Sequence, residues 1–203
     1  MNKLHTPAIL TLTQNKGLLR PRDLRAAGLP RTALAHMVAQ GHLLKLGRGL
    51  YAHPDRTPDA HEALAEVAIK SAQGVVCLIS ALRFHNLTTQ QSAEVWLASP
   101  HKAHPPRLAY PRLQLVRMSG RAMTEGIELV DVNGVAVRVF CLAKTVVDCF
   151  KYRNKIGLDV ALEALREAIN GQRVTQDELW HYASLCRVAN VMRPYMEMMG
   201  ALG

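Results

Sequence analysis

Residues 1–57 carry a net charge of +7, against +9 for the whole 203-residue chain. In that stretch Lys3, Lys16, Arg20, Arg22, Arg25, Arg31, Lys45, Arg48 and Arg56 meet only Asp23 and Asp55. Charge placed this unevenly marks a surface for a polyanion rather than a general solubility device. Whatever these residues fold into must hold a small apolar core together behind that surface.

The pattern of apolar residues and glycines says how. Thr6–Asn15 puts Ile9, Leu12 and Thr13 on one helical face, and Gly17 ends the run. Pro21 suits the first turn of a second, short helix, Asp23 complements its N-terminal dipole, and Gly28 stops it. A third helix is predicted from Pro30, with Leu34, Met37 and Val38 at helical spacing and Gly41 as terminator. Two short helices joined by a glycine-containing turn make a helix-turn-helix. The apolar strands around Gly47-Arg48-Gly49 then form a hairpin. The whole reads as a winged helix-turn-helix domain over residues 1–57.

Turning Leu34, Met37 and Val38 inward turns Thr32, Ala35, His36 and Ala39 outward at 100° per residue, with Arg31 at the exposed N-terminal edge. A recognition helix offers its first residues to base edges in the major groove in this way. Arg31 suits a bidentate contact to guanine or a phosphate grip, and Thr32 or His36 a shorter contact. Ala35 is small enough for close approach to the duplex. Arg20, Arg22 and Lys45 are expected to support the contact, with Arg48 at the wing tip on backbone or minor groove.

His53–Pro58 has two prolines and no apolar residue, so a second domain is expected over residues 58–203. Val95–Ala98 and Leu113–Met118 have strand character, and Ile127–Val132 with Val135–Phe140 flank Asn133-Gly134, the strongest short hairpin signal present. Helices are predicted over Ala143–Tyr152, Asp159–Ile169 and Thr175–Cys186, the last opening on a Thr175/Glu178 capping box. The expected fold class is α+β throughout. Between His101 and Met123 lies a second basic strip, Lys102, Arg107, Arg112, Arg117 and Arg121, with no acid among them.

Catalytic patterns are missing. There is no nucleophile elbow, Walker A loop, dinucleotide fingerprint or zinc-deaminase cysteine pair, and His61-Glu62 lacks the second histidine of a zinc protease helix. Asp131, Asp148, Glu163 and Glu167 could in principle assemble a metal nuclease site, but a solvated helix face explains the glutamates better. No catalytic residue, metal or cofactor is expected. Cys77, Cys141, Cys149 and Cys186 show no paired spacing, which suits reduced thiols in the cytoplasm. No signal-peptide pattern or membrane-length apolar run is present.

Taken in order, Arg-Gly-Leu-Tyr (48–51), Ser-Ala-Leu-Arg-Phe-His-Asn-Leu (80–87), Val-Trp-Leu-Ala (95–98) and Ala-Lys-Thr-Val-Val-Asp-Cys-Phe-Lys-Tyr-Arg-Asn-Lys-Ile-Gly (143–157) resemble the AbiEi-type antitoxins of type IV toxin–antitoxin systems. The resemblance implies a repressor that binds inverted repeats in double-stranded DNA upstream of its own operon. It also implies a C-terminal domain that counters a nucleotidyltransferase-like toxin, often without a stable complex. Two copies would meet on the repeats, as monomers or a weak dimer binding cooperatively. The alternatives are an antitoxin acting chiefly by protein–protein contact and a nucleic-acid-processing enzyme.

Overall fold

The computed structural model describes residues 5–47, 49–55, 61–90, 92–106, 108 and 111–200. The chain forms two compact units, one comprising Met1–Ile69 with Asp131–Ala136 and the other Lys70–Val130 with Val137–Gly203.

The first unit is built from α1 (His5–Lys16), β1 (Leu18–Leu19), α2 (Pro21–Ala26), α3 (Ala33–Ala39), β2 (Leu44–Gly47) and β3 (Leu50–Ala52), followed by α4 (Glu62–Lys70). Its three strands form an antiparallel sheet in the order β1-β3-β2, with Leu18 and Leu44 both opposite Ala52. Strand β1 is too short for any periodic pattern to announce it. Ile9, Leu19, Leu24, Leu34, Met37 and Leu43 make the core, and Leu12, Val38 and Tyr51 pack on it. This is the winged helix-turn-helix arrangement, three helices with a small sheet.

Both short helices end in the same hydrogen-bonded motif. After α2, the Leu29 N–H donates to the Leu24 carbonyl and that of Gly28 to Arg25; after α3, His42 donates to Met37 and Gly41 to Val38. The left-handed residue that each ending needs is a glycine, Gly28 at φ +69° and Gly41 at φ +74°. The third helix starts later than the sequence pattern suggests. Pro30–Thr32 form a turn in which Ala33 and Leu34 donate to the Pro30 and Arg31 carbonyls, so α3 opens at Ala33 after Thr32.

The second unit contains β4 (Val75–Val76), α5 (Leu78–Phe84), β5 (Glu94–Pro100), β6 (Arg112–Met118), α6 (Arg121–Thr124), β7 (Ile127–Val132), β8 (Val135–Phe140), α7 (Leu142–Lys151), α8 (Arg153–Ile156), α9 (Leu158–Asn170), α10 (Gln176–Leu185) and α11 (Ala189–Gly200). Its five-stranded sheet is mixed, in the order β6-β5-β4-β8-β7. Strands β5 and β6 run parallel from Glu94↔Arg112 to Pro100↔Met118. Thr175 caps α10 as the pattern requires: its Oγ1 accepts from the Glu178 N–H at 3.2 Å, and its own N–H donates to Glu178 Oε2 at 2.8 Å.

Helix α7 is buried from Ala143 to Phe150, and that span includes a charged pair. Lys144 Nζ donates to Asp148 Oδ2 at 2.5 Å with both side chains almost fully buried, and the ammonium sits 4.2 Å from the centre of the Phe140 ring. Cys186 Sγ donates to the other carboxylate oxygen at 3.5 Å. Burial pushes the Asp148 carboxyl up, while the Lys144 charge and its hydrogen bond pull it back. The first eight residues of the 143–157 stretch, Ala143–Phe150, are therefore core, and Asp148 is not available to a substrate. All four cysteines are free. Among the described residues, no helix is long and apolar enough to cross a membrane.

Removing one member of this pair leaves the other charge buried and unpaired. Lys144→Met or Asp148→Asn is expected to destabilise the second unit by about 3–5 kcal/mol, and the double change Lys144→Met/Asp148→Leu to recover most of that loss. Urea denaturation of the three variants checks this.

Candidate nucleic-acid interface

Leu34 and Met37 fix the rotation of α3 by entering the core, and Val38 is half-buried beside them. The opposite face follows from helical geometry: Ala35, His36 and Ala39 are exposed, as are Arg31 and Thr32 in the turn just before the helix. On α2, Asp23 and Leu24 turn inward while Arg22 and Arg25 stay in solvent. Arg25 was not among the contacts expected from the sequence. Its signal is simple, three positions after Arg22 on the same helix. Lys45 is exposed on β2 opposite Tyr51. Arg48, expected at the wing tip, lies outside the described residues.

Arg20 behaves differently from the sequence expectation. It is only 8% exposed. Its Nε donates to Asp23 Oδ2 at 3.1 Å and its Nη2 to the Gly134 carbonyl at 2.7 Å. Asp23 also accepts the Arg20 backbone N–H at 2.8 Å and the Lys16 ammonium at 3.3 Å. The guanidinium is thus satisfied inside the first unit and is withdrawn from the set of phosphate contacts. Burial pushes the Asp23 carboxyl up, but the hydrogen bonds and charge of Arg20, helped by Lys16, outweigh it and hold the group below its ordinary value.

The second basic strip divides in the same way. Arg117 Nη1 donates to the carbonyls of Pro100 and Ala103, both at 2.7 Å, and to Ser99 Oγ at 3.3 Å, which pins the return loop after β5. Arg121 is exposed but paired with Glu125. Lys102 and Arg112 are exposed, with no carboxylate at ion-pair distance among the described residues, and Arg107 lies outside the described residues. The strip therefore presents fewer free cations than its composition suggests.

The acidic residues considered for metal chemistry are not brought together. Asp148 is enclosed with Lys144, Asp131 accepts the Gly134 N–H at 2.8 Å, and Glu167 lies beside Arg166 on the exposed side of α9. Among the described residues, no group of three His, Cys, Asp or Glu side chains is placed to hold a metal ion.

The described geometry is a winged helix-turn-helix with exposed cations around the start of its second helix. Residues 7–54 match the family model described as "Transcriptional regulator, AbiEi antitoxin", a match confined to the N-terminal module. Over a longer span, the fold is similar to the crystal structure of the RV2827C protein from Mycobacterium tuberculosis. That likeness has a TM-score of 0.60 at 12% sequence identity and covers 91% of this chain and 72% of the other. At that identity the likeness concerns the fold. No curated protein matches the chain.

The Asp23 arrangement has a pH signature. A carboxyl held below its unfolded value stabilises the fold fully above the unfolded pKa, and that contribution disappears as pH falls through the folded value. Asp23→Asn should therefore cost roughly 1–3 kcal/mol at neutral pH, with the gap to wild type closing below about pH 4. Urea midpoints measured over a pH series read this out.

Proposed function

We propose that the protein is a sequence-specific DNA-binding autorepressor and the antitoxin of a type IV toxin–antitoxin system. The observation that carries the DNA half is the exposed surface at the start of α3, where Arg31 and Thr32 of the preceding turn and Ala35 and His36 of the helix stand clear of the core in the second helix of a helix-turn-helix. In this reading α3 enters the major groove of an inverted-repeat half-site in the protein's own promoter. Arg31 meets a guanine edge, Thr32 and His36 make shorter contacts, and Ala35 lets the helix seat closely. Arg22, Arg25 and Lys45 grip phosphates, with Arg48 at the adjacent groove. Lys102 and Arg112 extend backbone contact. Two copies bind cooperatively, each a monomer or weak dimer when free.

The antitoxin half rests on the family of the N-terminal domain. The C-terminal domain would counter a cognate nucleotidyltransferase-like toxin, with the polar chemistry of α7 serving its core rather than catalysis.

Base reading and phosphate gripping separate experimentally. Arg31→Ala is expected to weaken binding to the promoter repeat by roughly 1–3 kcal/mol and to relax one base position, whereas Arg48→Ala weakens promoter and random duplex alike. Gel-shift titrations on both duplexes decide it, and equal losses for Arg31→Ala would remove α3 from the groove. If about six phosphates are neutralised, the log–log salt dependence of affinity has a slope near −5. A slope close to zero in a fluorescence titration would contradict an electrostatic interface.

A further inference from the structure

The hairpin closed by Asn133-Gly134 takes part in more than its own sheet. Strands β7 and β8 belong to the five-stranded sheet, yet the tip, Asp131–Ala136, is an integral part of the first unit. Val132 and Val135 are buried, and Asp131 closes the turn by accepting the Gly134 N–H. The Gly134 carbonyl takes the Arg20 Nη2 hydrogen bond across 114 positions of sequence. Gly17, just before β1, lies so near the tip that a Cβ there would stand 3.0 Å from Asn133 Oδ1.

The same guanidinium holds Asp23 through Nε, and Asp23 in turn accepts the backbone N–H at the start of α2. One side chain therefore ties the hairpin tip to the first turn of the first helix of the helix-turn-helix. Helix α2 is six residues long, too short to set its own direction, so what holds its N-terminus decides where it points. The position of α3 depends on α2 through Leu24, which shares a core with Leu34 and Met37.

We propose that Arg20 is a positioning residue that latches the β7–β8 hairpin tip to the start of α2, and that the DNA-reading unit needs this latch to discriminate between sequences. The proposal rests on the DNA-binding reading above and deepens it. The reading unit then includes a segment more than 70 residues beyond the family-matched stretch 7–54, contributed by strands of the other unit's sheet.

The test uses the full chain and three variants: Arg20→Met removes the latch, Arg20→Lys keeps charge but loses the forked geometry, and Gly17→Ala crowds the tip and strains the left-handed backbone at φ +69° without touching Arg20. Hydrogen exchange reads the amides of 131–136 and 20–27. Binding is titrated on the duplex immediately upstream of the protein's own coding sequence and on a random duplex of equal length. Arg20→Met and Gly17→Ala are expected to release the tip and the α2 amides. They should also lower upstream-duplex affinity about tenfold while leaving random-duplex affinity within about twofold, with Arg20→Lys intermediate. Unchanged protection of 131–136 in Arg20→Met overturns the latch. A released tip with an unchanged ratio of the two affinities, or equal loss on both duplexes, overturns its role in discrimination. Should Arg20→Met fail to fold, Gly17→Ala and Arg20→Lys carry the same comparison. If the wild-type chain does not distinguish the duplexes, the DNA reading falls and the discrimination role with it, while the exchange data still decide the latch.

Discussion

The first unit depends on two short helices that cannot exist on their own. Helices α2 and α3 have six and seven residues, well below the length at which an isolated helix holds in water. Their stability comes from the side chains they bury, Leu24, Leu34 and Met37, each worth roughly 1.5–3 kcal/mol when fully removed from water. Because those residues enter a common core with Ile9, Leu19 and Leu43, the rotation of each helix is set. The face carrying Ala35 and His36 is thereby defined by the face that is hidden, with Arg31 and Thr32 in the turn that leads into it. The two glycine endings sharpen this by stopping each helix at a given residue and reversing the chain.

Positive charge has two uses here, and they are easily confused when counted together. Arg22, Arg25, Arg31 and Lys45 stand in solvent, where a phosphate can reach them. Arg20, Arg117 and Lys144 are turned to internal acceptors: a carboxylate and a carbonyl, three oxygens of one loop, and a buried aspartate under an aromatic ring. A buried cation needs a partner because desolvation without one is far costlier than an ordinary hydrogen bond. The same residue types that stand exposed at the surface thus also tie loops and helices together beneath it.

Much of the fold was legible because it rests on local chemistry. Asn133-Gly134 with its flanking strands, the Thr175/Glu178 cap and the 3.6-residue periodicity of α7, α9 and α10 each depend on residues close in sequence. The orientation of α3 was legible for the same reason, although its first turn was not. Strand β1 and helices α6 and α8 were missed because two to four residues carry no period. The parallel pairing of β5 with β6 was missed on different grounds. A strand's own residues specify which face is buried but not which neighbour it takes.

By itself, the sequence determined where charge concentrates, which residues sit at helical spacing, where glycine stops a helix, and that no familiar catalytic pattern is present. These are properties of neighbouring residues and survive without knowledge of the fold. Only the tertiary structure decided which cations remain free. Arg20 and Arg22 look alike in the chain, yet one is enclosed by Asp23 and a carbonyl from a distant hairpin while the other faces water. The difference comes from long-range packing, which brings acceptors to one guanidinium and solvent to the other.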